Sequence, residues 1–137
     1  MRVENWNGKL IDWASKQIGK PFIWGETDCG TLIRQGLQVI TGIDVFTPLA
    51  WWQTEQRARE SWDALGGIHA GFINNFKAIK IGCEYVQTGD IGILRINNLD
   101  TATIILNDKL LFSSIDAGIT LRNLSNLLKD RFIFYRF

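Results

Sequence analysis

The sequence predicts an α+β fold, with N-terminal helices packed on a small C-terminal antiparallel β-sheet. Two observations carry this. Up to about residue 77 apolar residues recur at helical spacing, and beyond residue 84 they gather in short β-branched runs broken by Asn, Asp and Gly. Helices first and strands second is the α+β pattern, whereas alternation would indicate a parallel sheet. With 137 residues, one domain over 1–137 is expected, long enough to bury a core without disulfide or metal staples.

Trp6, Leu10, Trp13, Ala14 and Ile18 share one face of a first helix over about 6–18, which Gly19 and Pro21 close. The loop PFIWGETD follows. Cys29, Ile33, Leu37 and Ile40 line one face of a second helix, with Thr27 or Asp28 as N-cap and Gly42 after its last turn. Thr47-Pro48 reads as the cap and first position of a third helix running through LAWWQTEQRARESWDAL to Gly66-Gly67. Trp52, Glu55 or Gln56, Arg59 and Trp62 or Asp63 are spaced on it as a mostly exposed face, a candidate protein-docking surface. A short helix is read over Ala70 to Lys77. IGILRI, TATIILN, KLLFSS and RFIFYRF read as strands, Asn107-Asp108 as a hairpin turn, and LSNLLKD as one more helical turn.

Lys plus Arg number 15 and Asp plus Glu 14, a balance that leaves no footprint for nucleic acid or an anionic membrane. No apolar run approaches the roughly 18 residues of a membrane span. The opening MRVENWNGKL lacks the apolar core of a signal peptide, so synthesis as a soluble cytosolic protein is expected. Two cysteines, one histidine and no CxxC leave no zinc pattern, and neither metal nor cofactor is expected.

The segment PFIWGETDCGTLI resembles the Pro-Tyr-x-Trp-Gly … Asp-Cys-Ser-Gly-Leu segment of the NlpC-type cell-wall cysteine peptidases, which have a papain-like fold. TGDIGIL resembles that family's Pro-Gly-Asp-Leu-Val strand opening, and TATIILNDKLLFSS is similar to its His-Val-Gly-Ile-Tyr hairpin. The likeness covers about Pro21 to the C-terminus. It is greatest to compact versions encoded in phage and prophage tail modules, which also end in an aromatic-Arg-aromatic strand, here Tyr135-Arg136-Phe137.

The resemblance implies that Cys29 holds the nucleophile position, attacking amides of peptidoglycan stem peptides. A helix start suits a thiolate, because its unpaired N–H groups and positive dipole end favour an anion. Phe22, Trp24, Gly25 and Asp28 fall on the substrate-binding side, Gly25 admitting close approach to the backbone. The base position falls on Asp100 or Thr101, where the family has histidine and this chain has none; Ser114, or its neighbour Ser113, falls where the base is oriented. Thr cannot take a thiol proton at neutral pH, and Asp does so weakly. Phe22 replaces the family's tyrosine, and Cys-Gly-Thr its Cys-Ser-Gly. His69, in GGIHAGF, reads as a surface or capping residue that a loop could carry to Cys29.

Asp28 by itself reads as a helix cap, Gly89-Asp90 as a turn opening a strand, and Cys83 as a structural thiol. Two functions are therefore expected. One is a degenerate, non-hydrolytic tail protein, made in the host cytoplasm and assembled with a hub, distal tail or fibre protein. The other is a virion-borne peptidoglycan endopeptidase in which Cys29 is served by His69 or a partner's histidine.

Overall fold

The computed structural model describes residues 2–137, apart from the side chains of residues 126 and 127. Helices α1 (Trp6–Gln17), α2 (Cys29–Thr41), α3 (Glu55–Asp63) and the short α4 (Ile68–Ala70) come first, α4 continuing as a π turn over Gly71–Asn75. Strands β1 (Ile79–Ile81), β2 (Ile91–Ile96), β3 (Leu99–Leu106), β4 (Lys109–Ser114), β5 (Gly118–Asn123) and β6 (Phe132–Arg136) follow, with a 3-10 turn at Cys83–Tyr85 and α5 (Asn126–Lys129) among them. They form one sheet in the order β1-β6-β2-β3-β4-β5, with every pairing antiparallel.

Successive strand residues face opposite sides of a sheet, and the two sides bury two clusters. Ile91, Ile93, Ala102, Ile104, Leu111, Ile119 and Tyr135 meet Leu10, Leu32, Ile33, Leu37, Phe46 and Phe72 from the helical layer. Ile105, Leu110, Phe132 and Phe134 pack on the other side with Leu124. The Asn107-Asp108 hairpin forms as read, with Asn107 in the left-handed region (φ 58°) that a tight two-residue turn requires.

The third helix is shorter than the sequence predicts. It starts at Glu55, where the Thr54 side chain accepts the Arg57 N–H, and Thr47-Pro48 lies in a turn with a cis peptide. A buried arginine explains the difference. Arg34, 1% exposed, makes a bidentate ion pair with Asp44 (2.8 and 2.6 Å) and donates to the carbonyls of Leu49 and Ala50. Those carbonyls are thereby turned toward α2 and lost to any helix through residue 48. The docking face read across this segment is corrected too: Trp52 and Trp62 lie in the core, leaving Trp51 exposed.

β1 and β5 have no counterpart in the sequence reading. β5 is held on one side by β4; on the other, its Ile119 exchanges hydrogen bonds with Gly19 and Lys20 after α1. Asp90, at the strand opening, is fully buried and held by Nε and Nη2 of Arg136, each at 2.8 Å, and by the Gln87 N–H. The C-terminal aromatic-Arg-aromatic strand is thus tied to the start of β2.

Two expected outcomes follow from these ion pairs. Arg136→Met leaves the Asp90 carboxylate buried without its counter-ion and lowers unfolding free energy by roughly 3–5 kcal/mol in denaturant titrations; Asp90→Asn in that background recovers part of the loss. Hydrogen bonding from Arg34 holds the Asp44 carboxyl below its ordinary value, against a smaller opposing effect of burial. A depressed folded-state pKa contributes stability above the unfolded value of about 4 and loses it as pH falls through the folded value. Stability measured from pH 5 downward, over about two units, falls less steeply in Arg34→Met than in the wild type.

Candidate functional site

The site is built on the start of α2. Its N-cap Asp28 is 1% exposed, and its carboxylate accepts from Gly25 N (2.8 Å), Thr31 N (3.1 Å), Thr31 Oγ1 (2.7 Å) and Trp52 Nε1 (2.9 Å). The cap thus binds three segments: the loop before α2, the first turn of α2 and the segment before α3. Thr27 steadies the same loop, its hydroxyl accepting from Ile23 N and donating to the Pro21 carbonyl, while Ser113 donates to the Thr27 carbonyl from β4. Phe22 and Trp24, half-buried, pack edge to face with centroids 5.0 Å apart.

Trp52 closes over this turn. A Cβ at Gly30 would lie 2.7 Å from the Trp52 ring, so glycine at 30 is what admits the indole. At Gly25 (φ +84°) a Cβ would lie 2.7 Å from the Trp52 carbonyl oxygen. The chain's own backbone occupies the close approach that the resemblance reserved for substrate.

Part of the Cys29 residue remains accessible, but its sulfur is packed closely enough that burial pushes the thiol pKa up. The N–H of Ala102 opposes this, the Asp28 carboxylate adds to it, and the N–H groups of Gly30 and of Cys29 itself oppose it more weakly. The sulfur therefore has the oriented N–H donors that suit a thiolate, and desolvation outweighs them. Among the described residues no side chain hydrogen-bonds to it.

Register separates Asp100 from Thr101. Asp100 pairs with Arg95 and Ala102 with Ile93, so Asp100 lies on the helix-facing side with Cys29; Thr101 pairs with Leu94 and faces the other side. Asp100 is already engaged, 3.2 Å from Arg95 Nη1 and 3.9 Å from His69 Nε2. His69 reaches it from α4, and its Nδ1 lies 2.5 Å from the Tyr135 hydroxyl on β6. The Nδ1–Tyr135 contact is a hydrogen bond, whereas the 3.9 Å from Nε2 to Asp100 is beyond hydrogen-bond range. Burial, and secondarily the Asp100 charge, push the Tyr135 pKa up and keep its hydroxyl protonated. The lone histidine is thus carried to the base position's neighbourhood, and its two ring nitrogens face Tyr135 and Asp100.

Ser114 accepts the Ala117 N–H in the β4–β5 turn. Cys83 lies apart, its thiol 3.7 Å from Asp130. Sequence reasoning missed Tyr135, Trp52 and Ala102 as neighbours of this site. Tyr135 and Ala102 carry no signal beyond strand periodicity; Trp52 was assigned to an exposed helix face. A cavity of about 340 Å3 behind the loop is lined by Pro21, Ile23, Gly25 and Thr27; a second, of about 480 Å3, lies by Trp51. Neither is lined by Cys29. Among the described residues no three His, Cys, Asp or Glu gather to hold a metal, and no helix is long and apolar enough to cross a membrane.

The fold is that of the NlpC type. The chain is similar in structure to a Staphylococcus aureus subsp. aureus Mu50 protein described as similar to lipoprotein, NLP/P60 family, with a TM-score of 0.59 and 20% identity. That match covers 98% of this chain and 42% of the other, so the chain spans less than half the length of that neighbour. No curated protein matches it in sequence. Residues 1–129 match a family described as Domain of unknown function (DUF6950), and the chain belongs to that family.

Proposed function

We propose that this chain is a non-hydrolytic NlpC-type domain that acts as a structural or assembly component of a phage or prophage tail, near the baseplate or tail tip. The observation that carries the loss of hydrolysis is the state of Cys29: a desolvated thiol with a raised pKa and no side-chain hydrogen bond to activate it. A nucleophilic cysteine needs a lowered pKa or an adjacent base. The Trp52 indole and backbone, packed on Gly30 and Gly25, occupy the space beside the α2 start. The tail context draws its support from the sequence resemblance, including the Tyr135-Arg136-Phe137 ending. On this reading the chain is made in the host cytoplasm and docks on a hub, distal tail or fibre protein.

One observation favours a second reading, a working peptidoglycan endopeptidase: His69 stands 3.9 Å from Asp100, on the same side of the sheet as Cys29. A shift of the imidazole from Tyr135 toward the sulfur would assemble a dyad with Asp100 behind it.

Alkylation of Cys29 by iodoacetamide across pH separates the two, in a Cys83→Ser background with and without His69→Ala. The expected apparent pKa lies above the ordinary value of about 8.5 and is the same in both, with no peptide released from purified peptidoglycan. An apparent pKa below about 7 that rises on loss of His69, with peptide release, means an active enzyme. Mass spectrometry of purified virions tests the tail assignment: the protein is expected among the tail components, and its absence there removes that part of the reading.

A further inference from the structure

We infer that the cavity beside Trp51 is a binding site for an uncharged saccharide chain. This goes beyond the assembly role and does not depend on whether Cys29 is active. The cavity, about 480 Å3, is lined by Ala50, Trp51, Trp52, Gln53, Thr54, Arg57, Glu60 and Ser61, and lies within the roughly 300–1,000 Å3 range of small-molecule sites.

One of its lining residues, Trp51, is an aromatic ring held in place by a buried cation. The Arg34 guanidinium lies 4.1 Å from the Trp51 ring centroid and is itself fixed by Asp44 and the carbonyls of Leu49 and Ala50. One face of the indole is therefore covered, yet the residue is 44% exposed, with its remaining surface turned outward. A large apolar side chain usually leaves water unless something holds it there, and here a buried ion pair does so. Such a ring loses little freedom on binding, which favours affinity.

The rim is polar. Gln53 makes no side-chain hydrogen bond among the described residues; Thr54 accepts from the Arg57 N–H and retains its own proton to donate. Ser61 donates to the Arg57 carbonyl and can still accept. Arg57 and Glu60 are opposed at 3.7 Å, so the rim has no net charge. A partly exposed indole lined alongside uncharged donors and acceptors complements a pyranose, which has an apolar C–H face and hydroxyls around its edge. The balanced charge disfavours a phosphorylated or acidic ligand. An extended peptide would call for a strand edge to pair with or several side-chain pockets, whereas the cavity borders the α3 start and holds one aromatic platform.

The test uses the 15N-labelled full chain, titrated separately with tri-N-acetylchitotriose and with trialanine to about 10 mM, a range that resolves weak binding. The expected result is saturable shifts centred on the Trp51 indole N–H, Gln53 and Thr54 with the sugar alone. Trp51→Ala should weaken binding at least about tenfold and Trp51→Phe less, tenfold being about 1.4 kcal/mol. Gln53→Ala, exposed and outside the Arg34 network, should weaken it a few-fold (~3-fold) and checks the site if Trp51→Ala disturbs the fold. Absence of shifts, shifts confined elsewhere, a response to trialanine but not the sugar, or undiminished binding in Gln53→Ala and Trp51→Phe would each overturn the assignment. Because the readout is binding, it stands or falls separately from the alkylation profile of Cys29.

Discussion

The buried Asp28 carboxylate is the constraint on which the site depends. Its four donors come from a loop, a helix start and a distant tryptophan, so one group sets the course of the chain before α2, the first turn of α2 and the position of Trp52. Removing any of these donors leaves a buried charge less well compensated, and removing the carboxylate leaves buried donors unpaired. The arrangement has a chemical consequence. The anion that builds the helix start adds to burial in raising the pKa of the adjacent thiol. The N–H groups at the sulfur would favour a thiolate if water or a base were admitted; Trp52, drawn in by Asp28, covers the adjacent turn instead.

Arg34 plays the corresponding part for the segment over 44–54. It satisfies one carboxylate and two carbonyls that a local reading assigns to a helix, and it supports Trp51 from below. Thr47-Pro48 is a strong helix-start signal taken alone. It fails here because long-range hydrogen bonds from a buried guanidinium give the carbonyls a different partner, and the helix waits for the next adequate cap, Thr54. The tryptophans follow: in the irregular stretch before α3, Trp51 and Trp52 go to different environments, one against Arg34 and the other into the core.

What was legible in the sequence divides along the same line. The α2 start at Cys29, the Asp28 cap, the Asn107 turn and four of the six strands are local signals, set by capping, left-handed turn residues and periodicity. β1 is three residues long, and β5 ends in exposed Leu121, Arg122 and Asn123, so neither carries a core-facing pattern along its length. The base position could be narrowed only to Asp100 or Thr101, because strand parity against Cys29 depends on the pairing of Ala102 with Ile93. His69 gives no sign of its destination, which is fixed by the α4 turn and by Tyr135, the register partner of Ile91 on β2, through contacts far apart in the chain.

The two polar rows of the domain then differ in kind. At Asp28 every acceptor site serves packing, and the carboxylate has no surface left for chemistry. At Asp100 the carboxylate is only partly buried and shares its approach with Arg95, His69 and, through the imidazole, Tyr135. The His69 imidazole is held at Nδ1 by the Tyr135 hydroxyl, with the Asp100 carboxylate 3.9 Å from Nε2. It is aimed along the sheet toward Tyr135 and Asp100, with no hydrogen bond to the sulfur. The tilted packing of His69 against Tyr135, centroids 5.6 Å apart and planes at 47°, holds that direction together with the hydrogen bond at Nδ1.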